Sequence, residues 1–365
     1  MKKLFVTFLL TLCFICGTFT KVNACQDNEI NMKNQIVNLI TKAYEYRTKS
    51  IVDQSITDEL GLFYVKGEKI YDFEKNRYQN YKKMENKLDL KIIDIKSSIK
   101  INDIEILSDN KAQVKLREIV SYKWLCKNDN PRTIKPNSSE MGIDHKIILV
   151  KEANEWKIQK DEYTEGELTE VTSPDYKSPQ VEISGMVNEG DIIVPYSIQG
   201  ATYYNRNVAA NYAETYWYNY NTNYRDYTRD GGDCANFVSQ CLYAGGAYFI
   251  GFGNNSSNCW WYDNKNTSTT SDDVASTTWT YCPSQKPFIL SGWGKEVNPT
   301  SLSRGDLVYY DWTGDGVWDH VAIVTGFDSS GTPLVTCHTT NYHNIKWNYG
   351  GSSCKYSCIH INDYI

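Results

Sequence analysis

The sequence has no excess of positive charge: 38 lysines and arginines stand against 44 aspartates and glutamates. A net charge of −6 argues against a nucleic-acid partner. Beyond residue 24 there is no CxxC pair and no cysteine–histidine cluster at zinc spacing, so neither a metal nor a cofactor is expected. Nor does any stretch after the first residues supply the long apolar run that a membrane span needs. Tyrosine, by contrast, is abundant at 28, and most of the ten tryptophans fall after residue 215, so the two halves differ in composition. At 365 residues the chain has room for two domains with their own cores.

The first residues read as an export signal. Met1-Lys2-Lys3 is followed by an apolar run from Leu4 to Ile15, and Val22-Asn23-Ala24 suits a signal peptidase. Cleavage after Ala24 gives a signal peptide over 1–24 and a secreted, extracellular chain, free or held at the cell wall. Cys25 would then be the first mature residue and raises a lipid anchor as an alternative, which Asn23 disfavours. Without Cys13 and Cys16 nine cysteines remain, an odd number, so at least one thiol is expected to be unpaired. Cys259 with Cys282, and Cys354 with Cys358 or Cys337, are conceivable bridges that sequence does not assign.

Residues 25–170 read as an α+β module. Ile30, Ile36, Leu39, Ile40 and Ala43 recur at helical spacing, and a charged helix follows over about Tyr71–Leu88. Strands are expected at Lys91–Ile95, Ile101–Leu107, Ala112–Val120, Lys146–Val150 and Trp156–Lys160, forming an antiparallel sheet with one covered face. The closing Glu155-Trp156-Lys157-Ile158-Gln159-Lys160 strand resembles those of NTF2-like, cone-shaped domains that accompany secreted bacterial wall enzymes. His145, beside Asp144, reads as a solvated strand end with no catalytic part. Residues 171–197, with Thr172-Ser173-Pro174 and Ser178-Pro179, read as a linker, and Asp191–Pro195 as a short strand leading into a second domain over 198–365.

The second domain is organised around Gly231-Gly232-Asp233-Cys234-Ala-Asn-Phe237-Val238-Ser-Gln-Cys241-Leu242, ending at Gly245-Gly246. Asp233 is a good N-cap, the second glycine pair a C-terminal cap, and Phe237, Val238, Cys241 and Leu242 make one apolar face. Cys234 then lies in the first helical turn, where free N–H groups and the helix dipole favour a thiolate. An inert core cysteine is the competing reading, so a partner base decides the matter. Asp319-His320-Val321-Ala322-Ile323-Val324 puts a histidine at the head of a strand, and Pro333–Thr339 continues the hairpin with His338. His320 would deprotonate Cys234 and later protonate the leaving amine, with His338 orienting its imidazole; Asn341 and Asp319 are alternatives for that last part. Backbone N–H groups at the helix start, Cys234's among them, would contribute to an oxyanion hole.

Two other stretches carry weaker signals. The aromatic-rich loop from Gly251 to Trp293 is read as locally packed tryptophans in preference to a groove wall. Asp311-Trp-Thr313-Gly-Asp315-Gly316 partly fits a calcium loop, but Thr313 replaces a carboxylate and Ala322 stands at the twelfth position, so a glycine-rich turn fits better.

From about Tyr203 to Asn344 the chain resembles the putative amidase domain of secreted bacterial proteins, in the papain-like group with NlpC/P60 and CHAP. The matching stretches are Tyr204-Asn-Arg206, Gly232-Asp233-Cys234 to Leu242, Trp260-Trp-Tyr-Asp263, Gly305-Asp306-Leu-Val-Tyr-Tyr310, Asp319-His320-Val-Ala-Ile-Val324 and His338-Thr339. The resemblance implies a papain-like cysteine amidase or peptidase with Cys234 as nucleophile and His320 as base, acting on cell-wall peptide or a peptidoglycan fragment. The expectation is therefore an α+β, two-domain secreted hydrolase. Its rivals are a peptidase or acyltransferase working on protein, and a non-catalytic wall- or peptide-binding module.

Overall fold

The computed structural model describes residues 2–53, 59–166, 168–176 and 201–365, with side chains from residue 28 onward. The chain begins with α1 (Lys2–Asp53), α2 (Leu60–Phe63) and α3 (Lys69–Lys87). The expected export segment falls on the first turns of α1, where only the backbone is described. Among the described residues no helix is long and apolar enough to cross a membrane. Four antiparallel strands follow: β1 (Leu90–Ser108), β2 (Lys111–Cys126), β3 (Asn137–Glu152) and β4 (Glu155–Glu162). The two strands expected between Lys91 and Leu107 are one, because Ser97, Ser98 and Ile99 keep pairing with Val120, Ile119 and Glu118. Bulges at Ile92/Asp94, Ile101/Asp103 and Ile106/Ser108 absorb the lapses in alternation.

The helices cover one face of this sheet. Ile36, Ile40, Ala43 and Tyr44 of α1 are buried against Val114, Leu116, Ile147 and Leu149. The same interface holds a charged network. Arg47 pairs with Glu74 at 3.3 Å and with Glu118. His145 is corrected from a solvated strand end to a fully buried member of this network. Its Nδ1 lies 2.9 Å from Asp161 and its Nε2 3.2 Å from Glu118. Period-two alternation explains the difference: Asp144 takes the outer face, bonding Arg117 at 2.7 Å, and so turns His145 inward.

Most of the expected linker, and the strand at Asp191–Pro195, lie outside the described residues. The second half resumes with α4 (Arg206–Tyr216) and α5 (Cys234–Ala244). The long aromatic stretch holds short elements of its own: β5 (Tyr262–Asp263), β6 (Val274–Ala275), α6 (Thr277–Thr280) and α7 (Cys282–Phe288). Trp260 and Trp279 are fully buried there, 4.4 Å apart between ring centroids. The remaining strands are β7 (Gly294–Glu296), β8 (Leu307–Asp311), β9 (His320–Phe327), β10 (Pro333–Cys337), β11 (Asn341–Lys346) and β12 (Lys355–Ile361). The expected hairpin is present, with Pro333 opposite Phe327.

The two halves share one sheet, in the order β1-β2-β3-β11-β10-β9-β8-β12-β7, with β4 also on β3. Strand length makes this possible. β4 pairs only with residues 146–152 of β3, which leaves Glu140, Met141 and Gly142 to pair with His343, Tyr342 and Asn341 of β11. The fold is α+β with a large antiparallel sheet, and α4, α5 and the aromatic segment form a second core on its C-terminal part.

Candidate active site

Cys234 is the first residue of α5, and the chain reaches it through two left-handed glycines. Gly231 and Gly232 have φ of +110° and +116°, which a side chain would strain. Asp233 occupies the N-cap position, but its carboxylate does not cap α5. It turns back to accept from the Tyr227 N–H and the Asn236 amide, each at 2.9 Å. Its own N–H donates to Thr339 Oγ1 at 2.8 Å.

Helix α5 is buried from Cys234 to Leu242, on its polar face as well as its apolar one. The polar residues are satisfied by neighbouring elements. Asn236 accepts from Trp279 Nε1 at 2.8 Å, and Ser239 accepts from Trp260 Nε1 at 3.1 Å and from Gln285 Nε2 at 2.8 Å. The tryptophans of the long loop therefore fix the helix that carries Cys234.

His320 opens β9, which packs beside α5, and is only 5% exposed against 6% for Cys234. Among the described residues its buried Nε2 has no hydrogen-bond partner, while its ring stacks on Trp312 at 5.6 Å. Cys234 and His320 drive each other apart in pKa. The hydrogen bond between Cys234 and Cys282, whose sulfurs are 3.6 Å apart, leads in lowering the Cys234 thiol; burial opposes it, and His320 and the Val321 N–H assist. Burial works against charge on His320, but the Cys234 and Cys337 sulfurs overcome it and raise the imidazole well above its ordinary value. Such shifts favour a thiolate beside an imidazolium.

His338 does not meet His320. Its Nδ1 is 2.6 Å from Asp233 Oδ2, and its Nε2–H donates to the Tyr216 carbonyl at 2.8 Å. The ring is held between Tyr220 and Phe237, each 3.7 Å away between centroids. The expected orienting contact is replaced by another: Cys337, the last residue of β10, acts on His320, while His338, in the turn just past the strand, is directed to Asp233 and Tyr216. The two alternatives are engaged elsewhere too. Asn341 accepts from the Tyr220 hydroxyl at 2.8 Å, and Asp319 from the Trp312 N–H at 2.9 Å.

The conceivable disulfides are not formed, since Cys259, Cys282, Cys337, Cys354 and Cys358 are all free thiols. Asp311 accepts from the N–H groups of Gly314, Asp315 and Gly316, which spends its carboxylate on the turn. Among the described residues no group of three histidine, cysteine or acidic side chains is arranged to hold a metal ion.

Over 194 residues the chain is 30% identical to "Uncharacterized protein YhbB" of Bacillus subtilis (strain 168), covering 48% of this chain and 58% of that one. The chain thus spans a little over half the length of that relative. Two solved structures are similar at low level. One is the intermembrane space region of chloroplast protein ARC6, at 12% identity and a TM-score of 0.26 over 34% of this chain and 91% of that one. The other is "Putative Scytalone Dehydratase" from Novosphingobium aromaticivorans DSM 12444, at 13% identity and a TM-score of 0.28 over 42% of this chain and 92% of that one. Residues 203–361, which hold Cys234, His320 and His338, match the family described as "Putative amidase domain".

Proposed function

We propose that the C-terminal half is a papain-like cysteine amidase that hydrolyses an amide bond in cell-wall peptide. The observation that carries this reading is the buried pair of Cys234, at a helix start, and His320, at a strand start, each shifting the other toward its charged form. The family match over residues 203–361 supports amide hydrolysis, and the basic, then apolar, first residues support export to a wall substrate.

In this reading the Cys234 thiolate attacks the amide carbon, and the oxyanion gathers N–H donors at the start of α5. His320 gives its proton to the departing amine, leaving a thioester on Cys234. It then takes a proton from water, whose oxygen attacks the thioester and releases the acid and the thiolate. The scheme balances with water as the second reactant and needs no cofactor. His338 serves the site at one remove, by holding Asp233 and with it the turn into α5.

The test is digestion of purified wall fragments by the intact protein and by Cys234→Ala, with products identified by mass. New amines released only by the intact protein establish the amidase and name the bond. Unchanged fragments with both proteins, and retained binding to the wall, make this half a binding module instead.

A further inference from the structure

Cys282 is a nucleophile-sized group that the mechanism above leaves unused, yet its sulfur is 3.6 Å from that of Cys234. The approach is built by the fold. Cys282 opens α7, and Gln285, three residues on, shares its helix face. Gln285 is fully buried and locks that face down. Its amide donates to the Ala235 carbonyl at 2.9 Å and to Ser239 Oγ at 2.8 Å, both on α5, and its oxygen accepts from the Tyr309 hydroxyl of β8 at 2.9 Å. Three hydrogen bonds from this one side chain thus clamp α7 onto α5 and β8, with Cys282 at the contact with the helix of the nucleophile.

Two touching thiols do not both ionise, because the second charge would form against the first. The surroundings decide which one does. Cys234 faces His320 and the Val321 N–H, which stabilise a negative sulfur. Cys282 is buried, with Cys234 and Asp319 as its negative neighbours, and all three hold its proton on. A protonated thiol against a thiolate is a charge-assisted hydrogen bond, stronger than the same contact between neutral thiols.

We infer that Cys282 donates its S–H to the Cys234 thiolate and, together with His320, keeps the nucleophile ionised near neutral pH. The inference rests on Cys234 being the nucleophile of the proposed amidase. Cys282 keeps its proton throughout; no bond to it forms or breaks.

The test follows the rate at which iodoacetamide alkylates Cys234 as pH is varied, read by mass on the peptide that contains it. It uses the full-length reduced protein and needs no wall substrate. Cys282→Ala is expected to move the half-point of the profile up by about one pH unit, so that alkylation below it slows about tenfold. Cys282→Ser, which keeps a donor, is expected to stay close to the parent. If the alanine variant does not fold, Cys282→Thr against Cys282→Val makes the same comparison at nearly equal volume. A profile unmoved by loss of the donor, in a folded variant, overturns the inference. His320→Ala separates it from the reading beneath: if that variant moves the profile and the Cys282 variants do not, only the donor role falls. If the parent already titrates as an ordinary thiol and His320→Ala changes nothing, the nucleophile assignment falls as well.

Discussion

Asp233 and His338 meet at 2.6 Å in a fully buried contact, and through it the strand end after β10 grips the turn that presents Cys234. The carboxylate is desolvated, which pushes its pKa up, and its bonds to His338, Tyr227 and Asn236 resist that push. Removing the histidine leaves a buried acid with one partner fewer. His338→Ala is therefore expected to cost about 3–5 kcal/mol in urea unfolding, the usual penalty for breaking a buried pair. Activity should fall with the fraction folded, while the pH profile of Cys234 alkylation stays where it was. A profile displaced as far as that of His320→Ala would instead make His338 an orienter of the imidazole.

Under the proposed mechanism the Cys234–His320 pair sets its own pH window. Cys234 is lowered, chiefly by the Cys282 hydrogen bond and then His320, so its thiolate persists below the ordinary thiol range. His320 is raised despite burial, so its proton persists above the ordinary histidine range. Amide hydrolysis should accordingly show a plateau, falling on the acid side as the thiolate is protonated and on the alkaline side as the imidazolium is lost. His320→Ala should lower the rate by about 10²–10⁴-fold, the usual contribution of a general acid–base group. A variant that retained the parent's rate and both limbs would remove His320 from the mechanism.

What the sequence made legible followed from local pattern. Gly-Gly-Asp-Cys announces a helix start, and the β-branched run after His320 announces a strand, because capping and alternation are local physics. The partner of His320 was less legible. Cys337 closes β10 and His338 lies in the turn just beyond it, and the run Pro333–Thr339 carries no local mark of where the strand stops. Cys282 was hidden for another reason: its 3.6 Å contact spans 48 residues through an irregular loop, with no periodicity to reveal it. Similarly, Asp144-His145 looks polar and exposed until the faces of β3 are assigned.

The network around His145 should govern the stability of the N-terminal half. Glu118 is buried, which opposes its charge, but Arg47 and then His145 bring its pKa down to about 2. A depressed acid contributes stability above its unfolded value, and that contribution is lost as pH falls through about 2. His145 is raised by Asp161 and Glu118 against burial, so its contribution is full below the unfolded histidine value and fades as pH rises through the raised one. Glu118→Gln is expected to cost about 3–5 kcal/mol near neutral pH by leaving Arg47 and His145 underpaired. Its unfolding free energy should also depend less on pH between about 4 and 2 than the parent's. An equally steep acid limb in the variant would move the cause to other carboxylates.

His343 tests the seam between the halves. It lies on β11, opposite Glu140 of β3, with Nδ1 3.0 Å from that carboxylate and Nε2 2.6 Å from Glu214 of α4. Burial opposes its charge, but the two glutamates raise its pKa to about 9. The sign is that of a raised base: its stabilisation is complete below the unfolded histidine value, about 6.5, and is lost as pH rises through about 9. Because β3 and β11 are neighbours in the single sheet, that loss weakens the connection between two cores rather than one side chain's surroundings. Calorimetry should show one transition at pH 7, and a lower or divided transition at pH 10. His343→Gln should resemble the alkaline parent already at pH 7 and change less between the two pH values. If the variant falls between pH 7 and 10 as far as the parent does, the seam is held by its backbone ladder and by Tyr342, whose hydroxyl meets the Leu168 N–H at 3.1 Å, and not by charge on His343.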